Sequence, residues 1–321
     1  MLRLVLAAFI ALAGALVYGA ADFFGGLSAR RLRSVVVTSA AAASGLVALV
    51  IALPFVGGAW IGVDIAWGVL AGAFGVVAIA LLYACLAIGP MSILSPLTAV
   101  VSAIAPMLWG LLVKGDSLSP VGYAGLAVAL IAVVLVGFIP GDGVVRPSIR
   151  GVVMAGGAGL AIGGFLIVID LTSAESGLVP LVASRATTVV ITAGIIGALA
   201  VGAARAGRGA ASVFGAHGAS VGATPTGHAD LEHATGPIAV RVTPGSAWRF
   251  ALVCGVLDAA ANALALIALR EGDLSVVSAL TALYPAGTIL LAAVVLRERV
   301  AAVQWLGLAL ALVAGGMLAL G

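Results

Sequence analysis

The chain has 321 residues, of which 63% are hydrophobic and 8% charged, with a mean hydropathy of +1.30. Soluble domains carry about 25% charged residues, and no soluble fold of this length covers so much apolar surface with so few charges, so the composition is that of a membrane protein. The net charge of +3, fourteen Arg and Lys114 against twelve acids, belongs to loop orientation and gives no reason to expect nucleic-acid binding.

Residues 4–21 are uncharged and are expected to form the first span, with Asp22 at its end where a carboxylate meets water. The opening MLRLVLAAFIALAGA has signal-peptide features but no clear cleavage site, so it is read as a span. Beyond Arg30, Arg31 and Arg33 the second span covers 34–56, closed by Pro54 and Gly57-Gly58. The 49 residues from Ile65 to Val113 contain no charge, which suits two spans of ~20 residues better than one. Gly89-Pro90 divides them, because proline lacks a donor and the residue before it avoids helical backbone; the spans are 65–88 and 91–113. Lys114, Gly115 and Asp116 turn the chain into a fifth span, 118–139, and residues 140–150 link the halves.

Spans six and seven are expected at 151–170 and 178–202. Residues 203–246, rich in Gly, Ala, Ser and Thr with His217, His228 and His233, read as a disordered low-complexity insertion. Its His228, Asp230, Glu232 and His233 have ligand chemistry without a packed scaffold, so no metal site is expected. Cys85 and Cys254, each inside an apolar run, suggest neither a disulfide nor a metal site. The last spans are 247–269, 274–296 and 300–320. The expected fold is therefore all-α, a polytopic membrane protein of ten transmembrane helices.

An internal repeat organises these spans. GPMSILSPLTA (89–99) is matched by GDLSVVSALTA (272–282), identical at six of eleven positions: Gly89/Gly272, Ser92/Ser275, Ser95/Ser278, Leu97/Leu280, Thr98/Thr281 and Ala99/Ala282. Each copy leads to an acid, Asp116 or Glu298, and then to a similar apolar helix, YAGLAVALIAVVLV (123–136) or WLGLALALVAGGML (305–318). Residues 1–139 and 151–321 thus read as two five-span repeats. Five is odd, so the repeats enter the membrane from opposite sides, as inverted copies; transporters built this way bind their substrate near the midplane between the halves.

A charge in mid-helix costs about 2.5–3.5 kcal/mol to insert, so each one needs a reason. Asp258 lies in the middle of the eighth span, and Asn262, four residues on, shares its face. Together they bind substrate or protons, or pair structurally with Arg185. Arg185, two turns into the seventh span, faces a substrate carboxylate, pairs with Asp258 or Glu175, or snorkels to the interface. Asp22 lines a cavity or sits at the interface, and Asp170 and Glu175 read as helix-end residues. The repeat-related hydroxyls Ser95, Thr98, Ser278 and Thr281, in helices broken by Pro96, Pro106 and Pro285, either line a pore or bond neighbouring helices. Tyr18, Tyr83, Trp109 and Tyr284 are candidates for an aromatic lining, and Gly68/Gly72 and Gly159/Gly163 for close helix packing. No His-Glu-x-x-His, Gly-x-Gly-Asp, Gly-x-Ser-x-Gly or phosphate-loop pattern occurs, so no catalytic residue, cofactor or ATP drive is assigned.

The ten-span count, the duplicated Gly-x-x-Ser-x-x-x-x-Leu-Thr-Ala pattern, the turn with an acid before the fifth and tenth spans, and Tyr18-Gly19 in the first resemble the drug/metabolite transporter superfamily, EamA-like branch. Arg185 resembles the Arg often found early in the second helix of a repeat, whereas the first repeat has Ser39 and Ala40 there. Asp116 replaces the commoner Glu, and Arg297 a Gly before Glu298. The resemblance spans all but 203–246 and implies a secondary transporter.

The expected function is transport of small organic solutes by alternating access, as efflux of amino acids, metabolites or drugs, with a proton gradient through Asp258 or facilitated exchange as the drive. The competing class is a non-transporting scaffold or an intramembrane enzyme. Expected partners are a small-molecule substrate and the lipid bilayer, with the chain a monomer or homodimer. Eleven Arg fall on the side away from the termini, against Arg3, Lys114 and Arg270 on theirs, so the positive-inside rule places both termini outside; the resemblance implies termini in the cytoplasm. Arg-rich, Lys-poor composition points to a bacterial cell membrane.

Overall fold

Residues 2–29, 31–86, 91–137, 148–215, 242–295 and 301–320 are described by a computed structural model. Its main helices are α1 (Leu2–Ala29), α2 (Ser34–Val56), α3 (Gly62–Leu86), α4 (Met91–Trp109), α5 (Pro120–Gly137), α6 (Ile149–Asp170), α7 (Val179–Arg205), α8 (Pro244–Glu271), α9 (Leu274–Thr281), α10 (Pro285–Val295) and α11 (Ala302–Leu320). Among the described residues there is no strand, only an isolated bridge between Leu32 and Gly215. Among the described residues, nine segments are long and apolar enough to cross a membrane, and a tenth apolar helix, Pro120–Val136, is shorter. The chain is thus an all-α polytopic membrane protein, and ten spans fit it once α9 and α10 are taken as one broken crossing.

Local chemistry sets the helix ends. At the end of α2, Gly57 adopts φ 84° and returns its N–H to Leu53. Ser148 caps α6 by accepting from the Gly151 N–H, and a reciprocal Thr243–Ser246 capping box starts α8. Gly110–Lys114 continues α4 as a π-turn that ends at Gly115, φ 78°.

Three expected boundaries move. Asp22 does not end the first span: α1 continues through Gly25-Gly26 to Ala29, and Asp22 is 7% exposed within the helix. Its carboxylate finds a polar interior, so the helix has no need to reach water there. The insertion does not begin at 203, because α7 runs to Arg205, a 3₁₀ turn covers Ala210–Val213, and the Phe214 carbonyl accepts from the Arg33 N–H. Residues 216–241 lie outside the described residues. The ninth span is not continuous: α9 stops at Thr281, a turn covers 282–284, and α10 restarts at Pro285. Proline has no N–H to offer the carbonyl four residues back, which here belongs to Thr281, and its ring crowds that carbonyl.

The main helix pairings recur when the halves are exchanged. Helix α1 packs on α8 as α6 packs on α3; α2 packs on α8 as α7 packs on α3; α4 lies on α6 as α9 and α10 lie on α1. Two further contacts, α2 with α7 and α5 with α11, pair each helix with its own repeat mate. Glycines permit the close approaches. A Cβ on Gly68 or Gly72 would strike the Pro180 or Ser184 carbonyl of α7, and one on Gly159 or Gly163 would strike α4. A Cβ on Gly255 would strike the Ala41 carbonyl and Ser44 Oγ of α2. Small residues let helices approach in lipid in this way.

Polar ties join the halves at the end of the bundle that holds the N-terminus. Asp64 accepts from the Ser173 N–H at 3.2 Å and from its hydroxyl. Lys114 pairs with Asp170 at 2.7 Å; within the second half, Arg270 donates to Thr172 and to the Ser173 carbonyl and so braces the turn that Asp64 holds. Asp116 Oδ2 takes the Ser275 N–H at 3.1 Å, so a carboxylate of the first half caps α9 in the second. Burial, then the neighbouring Asp116 charge, pushes the Asp273 carboxyl above its usual range, against the pull of Lys114.

Two expectations follow for detergent-solubilised protein followed by thermal unfolding. Gly255→Ala should lose about 1–3 kcal/mol by overpacking, whereas Gly316→Ala, with open space at its Cβ, should stay within about 0.5 kcal/mol of wild type. Asp116→Ala should lose about 1 kcal/mol as a lost helix cap; no loss would show that the contact with Ser275 contributes nothing.

Candidate functional site

A cavity of about 200 Å³ lies between the halves. The first half contributes Tyr18 and Asp22 from α1, Thr38 from α2, and Gly75, Ala78 and Ile79 from α3. The second contributes Ile162, Phe165 and Leu166 from α6, Ser184, Arg185 and Thr188 from α7, Asp258 and Asn262 from α8, and Thr281 and Tyr284 from either end of the α9–α10 break. By repeat position, α1 residues face α6 residues and α3 residues face α8 residues across this space. The polarity is uneven: α3 offers a glycine and apolar side chains where α8 offers Asp258 and Asn262.

At its polar centre Arg185 Nη2 forms an ion pair with Asp258 Oδ2, the two side chains being 17% and 27% exposed. Asn262 Nδ2 donates to the Asp258 carbonyl at 2.7 Å and to Asp258 Oδ2 at 3.3 Å. The i, i+4 spacing that puts Asp258 and Asn262 on one face thus also makes them hydrogen-bond partners. Of the partners open to Arg185, the structure selects Asp258, while Glu175 is exposed on the 3₁₀ turn Ala174–Ser176. A guanidinium has five N–H donors, and the pair with Asp258 occupies one side of the fork, so the arrangement can hold a further acceptor while keeping the charges balanced.

Seven residues singled out in the sequence meet at this cavity: Tyr18, Asp22, Arg185, Asp258, Asn262, Thr281 and Tyr284. Others are placed elsewhere. Thr98 is buried and donates to the Leu94 and Ala155 carbonyls, and Ser278 is buried and donates to the Ser275 carbonyl, so both hydroxyls bond neighbouring backbone. Trp109 stands 37% exposed at the end of α4, beyond the cavity. The side chains of Tyr83 and Ser95, and residues 217, 228, 230, 232, 233 and 298, lie outside the described residues. Asp170 ends α6 as expected, in its pair with Lys114.

Thr38, Ser184 and Thr188 were not singled out in advance. Ser184, Thr188 and Thr192 form a buried stripe at i, i+4, i+8 on α7, Thr188 donating to the Ser184 carbonyl and Thr192 to the Thr188 carbonyl. That spacing of hydroxyls inside an apolar span was a readable signal. In the sequence Asp64 and Arg270 look like ordinary helix-end charges, Arg270 counting only toward orientation, and only the fold brings them to the 171–173 turn.

The charges of the pair make a sharp expectation. Removing one partner strands the other in a poorly hydrated site, whereas removing both does not. Arg185→Gln and Asp258→Asn should each destabilise the protein, and the double variant should be more stable than the sum of the two losses predicts, by about 1–3 kcal/mol. Additive losses in thermal unfolding would mean that the two groups do not interact.

Residues 233–320 match the family model described as the EamA-like transporter family. A solved crystal structure has the same fold, with a TM-score of 0.67 at 16% identity, covering 97% of this chain and 95% of that one. No curated protein matches the sequence.

Proposed function

Because residues 233–320 match the EamA-like transporter family model and the fold is multi-pass and all-α, we propose that the protein carries small organic solutes across its membrane, with the cavity between the halves as the solute site. The observation that supports this most directly is the Arg185–Asp258–Asn262 group, an ionic centre held inside an apolar bundle and opening on a space of about 200 Å³. Charged groups at that depth are costly and mark solute or proton paths. The two five-span halves, 1–139 and 151–321, act as the moving bodies of alternating access, and the recurrence of their main helix pairings on exchange supports that division.

Tyr18, Asp22 and Tyr284 complete the wall around the solute. Its polar end meets Arg185 and Asp258, and its apolar part meets Ile79, Phe165 and Leu166. A cavity of this volume suits a solute of the size of an amino acid or small metabolite. A solute amine would pair with ionised Asp258, and protonation of Asp258 from outside would expel it, an exchange of proton for solute that drives efflux across a bacterial cell membrane.

Purified protein in liposomes tests the reading with a panel of labelled amino acids, with and without an imposed pH gradient. Wild type should carry at least one of them, the gradient should accelerate it, and Asp258→Asn should lower that flux at least tenfold. No flux across the panel would remove the solute class. Flux indifferent to Asp258→Asn would remove the site, and indifference to the gradient would remove the proton drive.

A further inference from the structure

We propose that the hydroxyl of Thr281 hydrogen-bonds the transported solute, so that the solute class is one presenting an oxygen or nitrogen to the break between α9 and α10; this rests on the cavity being the solute site. Threonines inside the spans normally spend their hydroxyls on their own helix. Thr38, Thr98, Thr187, Thr188 and Thr192 each donate to the carbonyl four residues back, at 2.7–3.1 Å. Thr281 does not. It is 6% exposed, its Oγ1 has no hydrogen-bond partner, and it lines the cavity.

A buried hydroxyl without a partner loses its hydration and gains nothing in return. The Val277 carbonyl, four residues back, lies within α9 and is there to be used, yet Thr281, the last residue of α9 before the break, leaves it to the backbone and keeps its hydroxyl at the cavity wall. The same position in the first repeat shows the alternative. Thr98 lies within the continuous α4, and its hydroxyl is used by the Leu94 and Ala155 carbonyls. The two repeats therefore differ at this point in one respect, that only the second presents a hydroxyl to the cavity. A hydroxyl both donates and accepts, so it can serve a carboxylate, an amine or an alcohol of the solute.

Ser275 supplies the control. Its Oγ is also buried and without a hydrogen-bond partner, but Ser275 is not part of the cavity wall. If an orphan hydroxyl mattered only for folding, the two would behave alike.

The test compares wild type, Thr281→Val, Thr281→Ser and Ser275→Ala in proteoliposomes. The probes are labelled L-tyrosine with L-phenylalanine, and L-threonine with L-valine, pairs that differ by a hydroxyl at similar volume. Thr281→Val should raise the half-saturation concentration of a transported probe about fivefold to tenfold, as expected for one lost hydrogen bond, with maximal flux within twofold of wild type. Thr281→Ser should restore it, and Ser275→Ala should match wild type. Because Thr281 makes no internal hydrogen bond, the Val variant should melt no lower than wild type. A rise confined to the hydroxyl-bearing member places the contact on that hydroxyl, and an equal rise in both members places it on the shared amino or carboxyl group; either supports the proposal. An unchanged half-saturation concentration, or a fall in maximal flux together with a lowered melting temperature, overturns it and leaves the transport reading in place. Absence of wild-type flux for all four probes removes the solute reading, and this proposal with it.

Discussion

A guanidinium and a carboxylate cannot rest singly among hydrocarbon chains, and the Arg185–Asp258 contact is the constraint around which the bundle is arranged. Each group would be expelled toward water or neutralised if its partner were absent. Holding them together requires α7 and α8 to present one face each to a common interior, and α1, α2, α3 and α6 to wall that interior from lipid. Close approach of these helices in turn requires small residues at their crossings. Gly68 and Gly72 against α7, and Gly255 against α2, supply it. The glycines that make the composition look featureless are thus the counterpart of the few charges it contains.

Backbone hydrogen bonding is the second constraint. In the apolar slab each N–H and C=O needs a partner within the protein, so an interruption such as the one at 282–284 is tolerated where it borders a cavity and would be rejected at the lipid face. Its placement beside Arg185 and Asp258 follows the same rule as the charges. The end of α9 nearer the N-terminus is handled differently, by Asp116 reaching across from the other half to the Ser275 N–H. Both ends of this eight-residue helix therefore depend on groups outside it.

Much of this was legible in the sequence because it depends on period and count. Uncharged runs of span length gave the helices, the near-copy at 89–99 and 272–282 gave the duplication, and the spacing of Asp258 and Asn262 gave one polar face. What escaped was set by approach between distant segments. Whether Arg185 turns to Asp258 or Glu175 depends on the crossing of α7 with α8, which no local pattern encodes. The continuation of α1 past Asp22 depends on a polar interior supplied by other helices, the use of the Thr98 hydroxyl partly on the Ala155 carbonyl of α6, and the break at 282–284 on where a proline severs the helix. Pro106 lies within α4 without dividing it, whereas Pro285 opens a new helix.

The two longest helices, α1 and α8, have 28 residues each and pack on one another. At 1.5 Å per residue each is roughly 42 Å long, against a hydrocarbon layer of about 30 Å. Rods that overshoot the layer must lean or protrude, and a thicker or thinner membrane changes how far they lean. Lipid thickness thereby becomes a mechanical input to the pair of helices that carries Tyr18 and Asp22 on one member and Asp258 and Asn262 on the other.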